Sequence, residues 1–326
     1  MAVTRKNILN DSSVRDKFIQ GVKLLKAEDS GKTTADFGIA GDATPVSTYD
    51  LFVIWHHRAM MQLTPAPPRP NPTGRNAAHR GSVFLPWHRV MLLMLERNLQ
   101  RVLNDDSFGL PYWDWGATGD LDPDQQKQAA IWGADCLGGD GNPVQSGPFA
   151  FNPDDPASWR VRVEGNSAGE LVGTDRGLWR VFASSDDGVP DLPTSQQATD
   201  AVGLTPYDVA QWDVASSDGM RNLLEGWRSP RSEPEHHNRV HVWVGGDMWP
   251  STSPNDPVFY LNHCNVDRLW ETWMQQNGRQ YLPDMTASDD LMGHRIDDPL
   301  ASPPGASATP REVLDISENY TYDVLG

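Results

Sequence analysis

The sequence predicts a mainly α-helical fold, a bundle of about four long helices wrapped by long loops and a few short strands. Apolar residues recur at helical spacing within 14–25, 49–63, 86–101 and 257–276. Between 116 and about 210 the chain is rich in Gly, Pro, Asp and Ser and shows no sustained period, which is typical of loops. Histidines lie on the apolar faces of at least three predicted helices, and sites inside helix bundles are built from such inward-pointing side chains.

Start signals accompany the predicted helices. The expected caps and first-turn residues are Ser12 or Ser13, Ser47 with Asp50, Pro86, and Asp256 with Pro257. A shorter helix over 217–228 is expected to be capped by Ser217. Predicted loops lie at 29–46 and 65–76, predicted strands at 159–165 and 320–324, and the aromatic run LPYWDW at 110–115 is expected to pack in the core.

Composition excludes several classes of function. The 326 residues include 27 Lys and Arg against 44 Asp and Glu, and the net charge of −17 repels nucleic acid and anionic membranes. The chain has no apolar run near the roughly 18 residues that span a bilayer, and its N-terminal stretch lacks the apolar core of a secretion signal. No linker divides the sequence, so we expect one domain over 1–326, in the cytoplasm. Two free thiols are expected at Cys136 and Cys264, with a single bridge as the alternative.

The histidines point to a metal centre. His237 and His241 are four residues apart, so on a helix both imidazoles lie on one face. His88 and His263 each lie within an apolar stripe, where a histidine is either hydrogen-bonded or bound to a metal. No CxxC motif and no carboxylate pair at ligand spacing accompany them, and an all-imidazole site suits Zn, Cu, Fe or Ni. Spacing leaves open whether the site is a zinc hydrolase or hydratase, or a copper pair that binds O2.

Six longer motifs lie between 49 and 270. They are YDLFVIWH (49–56), HRGSVFLPWHR (79–89), LPYWDW (110–115), RNLLEGWR (221–228), HNRVHVWVGGDM (237–248) and SPNDPVFYLNHCNVDRLW (253–270). In this order they resemble the type 3 copper proteins, and most closely the bacterial tyrosinases. The resemblance implies a four-helix bundle that holds a dinuclear copper site.

The resemblance also implies a ligand set. One copper would be bound by His56, His79 and His88, and the other by His237, His241 and His263. His56 is preferred to His57 because it aligns with the family pattern YDxFVxxH. His236 and His294 match no family ligand and are expected at the surface. Because Cu(I) and Cu(II) both accept neutral imidazole, such a centre changes oxidation state without exchanging ligands.

An enzyme similar to these tyrosinases would use O2 as co-substrate to hydroxylate monophenols at the ortho position and to oxidise o-diphenols to o-quinones. Three alternatives stay open: an o-aminophenol oxidase that gives quinone imines, a catechol oxidase restricted to diphenols, and a reversible O2-binding protein like the haemocyanins. The resemblance further implies a small phenolic or aminophenolic substrate and a separate copper-delivery protein. That partner would also provide a route for export.

A base is required near the site because a phenol must lose its proton to bind copper well. Glu225 matches the glutamate that is thought to hold a water in similar tyrosinases, and Asn238 matches the asparagine thought to polarise it. Their alternatives are a solvated helix glutamate and a helix-end polar residue. Asp267, four residues after His263, is expected either to orient that imidazole or to pair with Arg268 or another arginine.

Several residues depart from the pattern of similar bacterial enzymes. Asn262 stands where those enzymes often carry a second histidine, and Trp249 lies near the expected pocket mouth, where it would stack on a substrate ring or narrow the opening. Ala77 stands where some relatives carry a cysteine joined to a histidine. Cys264 is expected to point about 100° away from its neighbour His263 and to pack in the core. The loop between Glu225 and the next ligand is also longer.

Overall fold

Helices form the centre of the molecule in the computed structural model, as the sequence predicts. The structure describes residues 2–71, 73–216, 218–227, 233–301 and 307–326. None of the helices in these ranges is both long enough and apolar enough to cross a lipid bilayer.

Nine α-helices lie in the described residues, and four of them carry five of the six candidate ligands. The helices are α1 (Ser12–Ala27), α2 (Thr48–Met61), α3 (Phe84–Leu103), α4 (Trp115–Gly119), α5 (Pro123–Gln126), α6 (Ser195–Val202), α7 (Met220–Glu225), α8 (His236–Val244) and α9 (Val258–Asn277). The long helix α3 packs against α9, and α8 also packs against α9. Helix α1 contacts both α2 and α3. The predicted helical core is therefore confirmed, with α2, α3, α8 and α9 carrying histidines.

The strands form short pairs. They are β1 (Val3–Arg5) with β6 (Tyr320–Tyr322), parallel, and β2 (Asp29–Thr33) with β3 (Pro45–Ser47) and β4 (Val161–Gly165) with β5 (Leu171–Arg176), both antiparallel. The strands predicted at 159–165 and near the C-terminal end are confirmed. The loop predicted at 29–46 is wrong at both ends, because β2 and β3 pair there. The sequence of β2, DSGKT, has no alternation of apolar and polar residues that would have indicated a strand. None of its residues is buried, so the strand needs no apolar face.

The first two helices differ in how well their caps were predicted. Asp11, rather than Ser12 or Ser13, caps α1, and its carboxylate accepts a backbone N–H three residues later at 3.1 Å. Aspartate is as good a cap as serine, and Asp11 is the residue with extended backbone at the helix start. The Ser47 cap predicted for α2 is confirmed, since Ser47 Oγ accepts from the Asp50 N–H at 3.1 Å. The Asp50 carboxylate accepts from the Ser47 hydroxyl at 2.7 Å, so the reciprocal bond to the Ser47 backbone that completes a capping box is replaced by a side-chain bond.

Two later helices begin near their predicted starts. Helix α9 starts one residue later than predicted, so Pro257 occupies the cap position. Asp256 still accepts the Val258 N–H at 3.0 Å, as a capping side chain does. Helix α7 is preceded by Gly219, and Ser217, its predicted cap, lies outside the described residues.

Buried apolar side chains of the described residues form one main cluster, which extends from Ile8 to Leu314, and three small satellites. Trp113 and Trp115 of the aromatic run are fully buried in the main cluster, which confirms their predicted packing role. Because a single cluster connects the two ends of the chain, we propose that 1–326 forms one catalytic domain.

Candidate metal centre

Six histidine side chains converge inside the helix bundle. One group is His56 from α2, His79 from the loop before α3 and His88 from α3; the other is His237 and His241 from α8 and His263 from α9. Within each group, one ligand atom from each residue lies within 4.8 Å of the others. The structure therefore brings together all six residues that the sequence singled out, in two groups that could each hold one metal ion.

The two groups lie side by side. The rings of His88 and His263 stack across the boundary, with centres 4.1 Å apart and planes 12° from parallel. The rings of His79 and His237 lie 6.0 Å apart across the same boundary. Two metal ions bound by these groups would therefore be neighbours and would share one substrate pocket.

Backbone carbonyls orient several of these imidazoles. In three of them Nδ1 donates to a backbone carbonyl. His56 donates to Ser251 at 2.7 Å, His88 to Phe84 at 2.8 Å and His241 to Met248 at 2.6 Å. This contact leaves Nε2 as the unprotonated nitrogen with a lone pair. In all three residues Nε2 is buried and has no hydrogen-bond partner within the described part of the chain. An unpaired buried polar atom costs about 1–3 kcal/mol, so these nitrogens fit a bound metal ion.

The electrostatics of the site favour neutral ligands. Burial lowers the pKa of His56 to about 3 and the pKa of His241 to about 4. Burial also lowers the pKa values of the other four histidines well below the ordinary range. Neither group includes a carboxylate or a thiol. Six neutral imidazoles suit copper or zinc, and they do not suit magnesium or calcium, which require oxygen ligands.

The structure separates His56 from its neighbour His57. His57 Nδ1 lies 2.7 Å from the Ser251 hydroxyl, and the side chain faces a different cavity, lined by Arg58 and Leu171. His56 alone of the two joins a histidine group.

The expected surface positions of His236 and His294 are wrong. Their exposed fractions are 3% and 0%. His236 Nε2 donates to the Gln197 carbonyl at 2.9 Å, and His294 Nε2 lies 2.7 Å from Thr64 Oγ1. Among the described residues, neither histidine belongs to a group that could hold a metal ion; each is held in the interior by a hydrogen bond.

Two phenylalanines that the sequence reasoning missed form walls of the centre. The ring centre of Phe84 lies 4.9 Å from that of His88, and the ring centre of Phe259 lies 4.2 Å from that of His263. Phe84 also contacts His237 at 4.8 Å. Each phenylalanine comes four residues before a histidine of the same long helix, so the repeated F-x-x-x-H spacing in α3 and α9 is the signal that could have found them.

Glu225 connects the two histidine groups. Its carboxylate accepts from the backbone N–H of Arg80, the residue after His79, at 2.6 Å and from Arg221 Nη1 at 2.8 Å. Its backbone carbonyl faces His237 Nδ1 at 3.2 Å. The side chain is fully buried, so the alternative of a solvated helix glutamate is wrong. Burial raises the pKa of Glu225, while Arg221 acts in the opposite direction.

Asn238 lies against the same ligand. Its Oδ1 accepts from His237 Nδ1 at 3.0 Å, and the side chain lines the cavity. Gly226, which has φ +101°, makes this arrangement possible. A Cβ at that position would lie 2.0 Å from the Glu235 carbonyl oxygen and 2.8 Å from Asn238 Cβ, so only glycine allows α7 and α8 to approach this closely.

Asp267 does not orient a ligand imidazole. Its carboxylate accepts from Arg89 Nε at 2.6 Å and from Arg5 Nη1 at 3.3 Å. The hydroxyls of Tyr320 and Tyr322 complete its shell at 2.5 and 2.6 Å. The arginine alternative is therefore the one that forms, although with two arginines other than Arg268. Bonds to a guanidinium are stronger than a bond to a neutral imidazole, which explains the choice.

A cavity of about 640 Å³ leads to the histidines from outside. Its walls include His56, His79, His237 and His241, and Trp249, with 62% of its surface exposed, lies at its mouth. Trp249 thus occupies the predicted position.

Two residues next to a ligand lie away from this cavity. Asn262 is fully buried and is not among the residues that line it, and neither atom of its amide has a hydrogen-bond partner in the described ranges. Nothing in the structure explains this. Cys264 is buried against the Leu110 carbonyl, which confirms its packing role, and both it and Cys136 are free thiols.

The chain matches the family described as the common central domain of tyrosinase over residues 46–276. It is 39% identical to a tyrosinase of Streptomyces glaucescens over 282 residues, which cover 84% of this chain and 88% of the relative. It is 36% identical to grixazone synthase of Streptomyces griseus over 293 residues, covering 84% and 90%.

Solved structures share the fold. A polyphenol oxidase from Thermothelomyces thermophila superposes with a TM-score of 0.67 at 19% identity, covering 98% of this chain and 88% of that one. A functional unit of octopus hemocyanin gives 0.54 at 19% identity, covering 100% and 69%. With the two histidine groups in place and the family match over most of its length, the chain belongs to the tyrosinase family.

Proposed function

We propose that this protein is a copper-dependent oxidase that acts on phenols with O2. The matching family model and the similar Streptomyces proteins carry the name tyrosinase. It would hydroxylate monophenols at the ortho position and oxidise o-diphenols to o-quinones. The observation that carries the proposal is the pair of buried histidine groups. Nε2 of His56, His88 and His241 has no hydrogen-bond partner within the described residues, and Nε2 of His237 faces Nε2 of His263 at 3.1 Å.

The proposed ligands are the six histidines of the two groups. His56, His79 and His88 would hold one copper ion, and His237, His241 and His263 the other. Copper bound there supplies the electron transfer between O2 and the phenol. The chain supplies the rest: backbone carbonyls hold the imidazoles of His56, His88 and His241 in one tautomer. Phe84 and Phe259 pack against the histidines and keep the centre dry.

The proton of the phenol needs an acceptor, and the proposed acceptor is a water held by Glu225 and polarised by Asn238. Asn238 lines the cavity, whereas Glu225 lies beneath it with its carboxylate bonded to Arg80 N and Arg221. These contacts support an anchoring role for Glu225: it fixes the backbone after His79 and, through its carbonyl, the His237 ring. Its role as the base stays a prediction that a substitution tests separately.

Among the alternatives, o-aminophenol oxidation has the most specific support. Grixazone synthase is a relative at 36% identity, and an open cavity with an exposed tryptophan admits ring substituents other than a single hydroxyl. A reversible O2 carrier would need a blocked pocket, and the 640 Å³ cavity does not support it.

We also propose that a separate protein delivers the copper. Exposed apolar side chains lie at the approach to the site: Trp227 and Trp249 line the cavity and are 39% and 62% exposed. Exposed apolar groups clustered around a site are typical of a docking surface. Under the same proposal, the enzyme works in the cytoplasm or is exported together with that partner.

Oxygen uptake by the copper-loaded protein tests the function. A monophenol, the matching o-diphenol and the matching o-aminophenol are compared side by side. We expect uptake with the monophenol and the diphenol. Oxygen uptake with the diphenol or the aminophenol but not with the monophenol would show that the protein does not hydroxylate monophenols. No oxygen uptake with any of the three substrates would overturn the proposal.

A further inference from the structure

Arg80 is a cation at the wall of the substrate cavity. It directly follows His79, its side chain is exposed, and it lines the same cavity as the histidines. Within the ranges that the structure describes, no carboxylate forms an ion pair with it. The carboxylate of Glu233, which lines the cavity as well, lies 3.7 Å from Arg239. The cavity therefore contains a guanidinium whose charge is available to a ligand.

The position of this guanidinium is fixed from two sides. The backbone of Arg80 adopts φ +62°, and its N–H is bonded to Glu225 at 2.6 Å. The side chain then lies over the ring of Trp227, with the guanidinium carbon 5.1 Å from the ring centre. Trp227 is in turn a hydrogen-bond donor to the buried Glu225 carboxylate. One carboxylate thus holds both the cation and the aromatic ring beneath it.

An arginine that stacks on an aromatic ring keeps the N–H groups at the edge of its guanidinium available to other partners. In Arg80 one of them, on Nη1, makes only a long, weak contact of 3.5 Å with the Thr73 carbonyl. That edge presents parallel N–H groups that match the two oxygens of a carboxylate. A phenol whose hydroxyl reaches the histidine nitrogens leaves the opposite side of its ring toward the outer part of the cavity, and the exposed Arg80 side chain lines that cavity. The chain as a whole, with a net charge of −17, repels anions, so a local cation is needed for an acidic substrate to bind.

We propose that Arg80, supported by Trp227, binds an anionic substituent of the substrate, and that the preferred phenols carry a carboxylate on the ring or on a short side chain. This inference rests on the proposed oxidation of phenols at the same site. Arg80 is a residue for substrate specificity, and the chemistry itself takes place at the histidines.

The test compares three o-diphenols that differ in one charged group: dihydrocaffeate with a carboxylate, hydroxytyrosol with a neutral hydroxyl and dopamine with an ammonium. Oxygen uptake by the copper-loaded full chain gives kcat/KM for each. In the wild type we expect dihydrocaffeate to exceed dopamine. In Arg80→Gln the ratio of dihydrocaffeate to hydroxytyrosol is expected to fall about tenfold, which corresponds to one charge-assisted bond.

Two further variants make the comparison specific. Arg80→Lys keeps the charge but loses the planar fork, so we expect it to retain only part of the preference. Arg97→Gln removes one charge from an exposed arginine of α3. Its ratio of kcat/KM for dihydrocaffeate to kcat/KM for hydroxytyrosol is expected to match that of the wild type. A second readout is calorimetric titration of benzoate and benzamide, in which only benzoate is expected to bind more weakly to Arg80→Gln.

The outcomes separate the two proposals. Oxidation of hydroxytyrosol by the wild type without preference for dihydrocaffeate would overturn the role of Arg80 and leave the oxidase standing. An equal fall of the ratio in Arg97→Gln would show a general effect of net charge and would also overturn it. Failure to oxidise any of the three diphenols would overturn the proposed function. In that case, the difference in benzoate binding between wild type and Arg80→Gln would still test the role of Arg80 as an anion-binding residue.

Discussion

Replacing Asp267 by asparagine is expected to destabilise the fold by about 3–5 kcal/mol, the typical cost of removing one partner from a buried ion pair. The carboxylate is buried and accepts from Arg89, Arg5, Tyr320 and Tyr322. An asparagine offers one acceptor in place of two, so its amide N–H₂ would face either the Arg89 guanidinium or the two tyrosine hydroxyls.

The charges around this residue explain the magnitude. Arg5 also pairs with Glu96 at 2.8 Å and Arg89 with Glu271 at 3.6 Å, all of them buried. Removing the third carboxylate leaves two guanidinium groups with one acidic partner each and with fewer hydrogen bonds. The two arginines join strand β1 and helix α3 to helix α9, so the loss affects the packing of both the N-terminal strand and the bundle.

Urea unfolding at pH 7, followed by tryptophan fluorescence, measures the change. The matched control is Asp297→Asn, which breaks an ion pair with Arg311 whose side chains are 40% and 59% exposed and should cost less than about 1 kcal/mol. If Asp267→Asn unfolds within 1 kcal/mol of the wild type, the reasoning about the buried cluster is wrong.

The pH dependence of the unfolding free energy tests independently whether the negative charge of Asp267 stabilises the fold. Burial opposes ionisation of Asp267, but the charges of Arg89 and Arg5 and the hydroxyls of Tyr320 and Tyr322 lower its pKa below the ordinary value. A lowered pKa in the folded state stabilises the protein above the unfolded pKa, about 3.9, and this contribution is lost as the pH falls. The difference between wild type and Asp267→Asn should therefore shrink below about pH 4. A difference that stays constant down to the acid transition would rule out the charge as its source.

Three further predictions concern the site and its surroundings. Glu225→Gln should lower copper content and slow monophenol and diphenol oxidation alike, by about 10- to 100-fold, whereas a loss confined to the monophenol would instead support its role as the base. Gly81→Ala should destabilise the fold by about 1–3 kcal/mol in urea unfolding, because the new Cβ would lie 2.7 Å from the buried His294 ring. Burial raises the pKa values of Cys136 and Cys264 to about 12, so neither thiol should react with a thiol reagent at pH 8 in the folded protein.

Controls accompany these tests. Gly173→Ala introduces a Cβ with no heavy atom within 4 Å and should change the free energy of unfolding by less than about 0.5 kcal/mol. A cost equal to that of Gly81→Ala would remove the steric explanation. Both thiols should react after unfolding in urea, and rapid labelling before unfolding would contradict their burial.

The sequence predicted the parts of the structure that repeat along the chain. The apolar stripes gave the long helices, and His88 and His263 were found because each interrupts such a stripe. His56, by contrast, was separated from His57 by the family pattern, since helical spacing alone puts both near an apolar face. The structure shows why the distinction holds: His56 joins a histidine group, while His57 lines a different cavity.

What the sequence did not reveal depends on contacts between distant segments. The carbonyls of Met248 and Ser251 hold one histidine of each group, and a backbone carbonyl carries no side-chain signature. The burial of His294 results from packing against Gly81 and Thr64, residues more than 200 positions away. The partners of Asp267 come from both ends of the chain, so position relative to His263 was a poor guide to its role.

The measurement that tests the central claim most directly is the copper content of the intact loaded protein by native mass spectrometry. Wild type should carry two copper ions, one for each histidine group. His56→Ala and His241→Ala should each lose one, because each removes a ligand from a different group, and His57→Ala should keep both. A wild type that binds one copper or none, or a His57→Ala protein that loses copper while His56→Ala keeps two, would contradict the account.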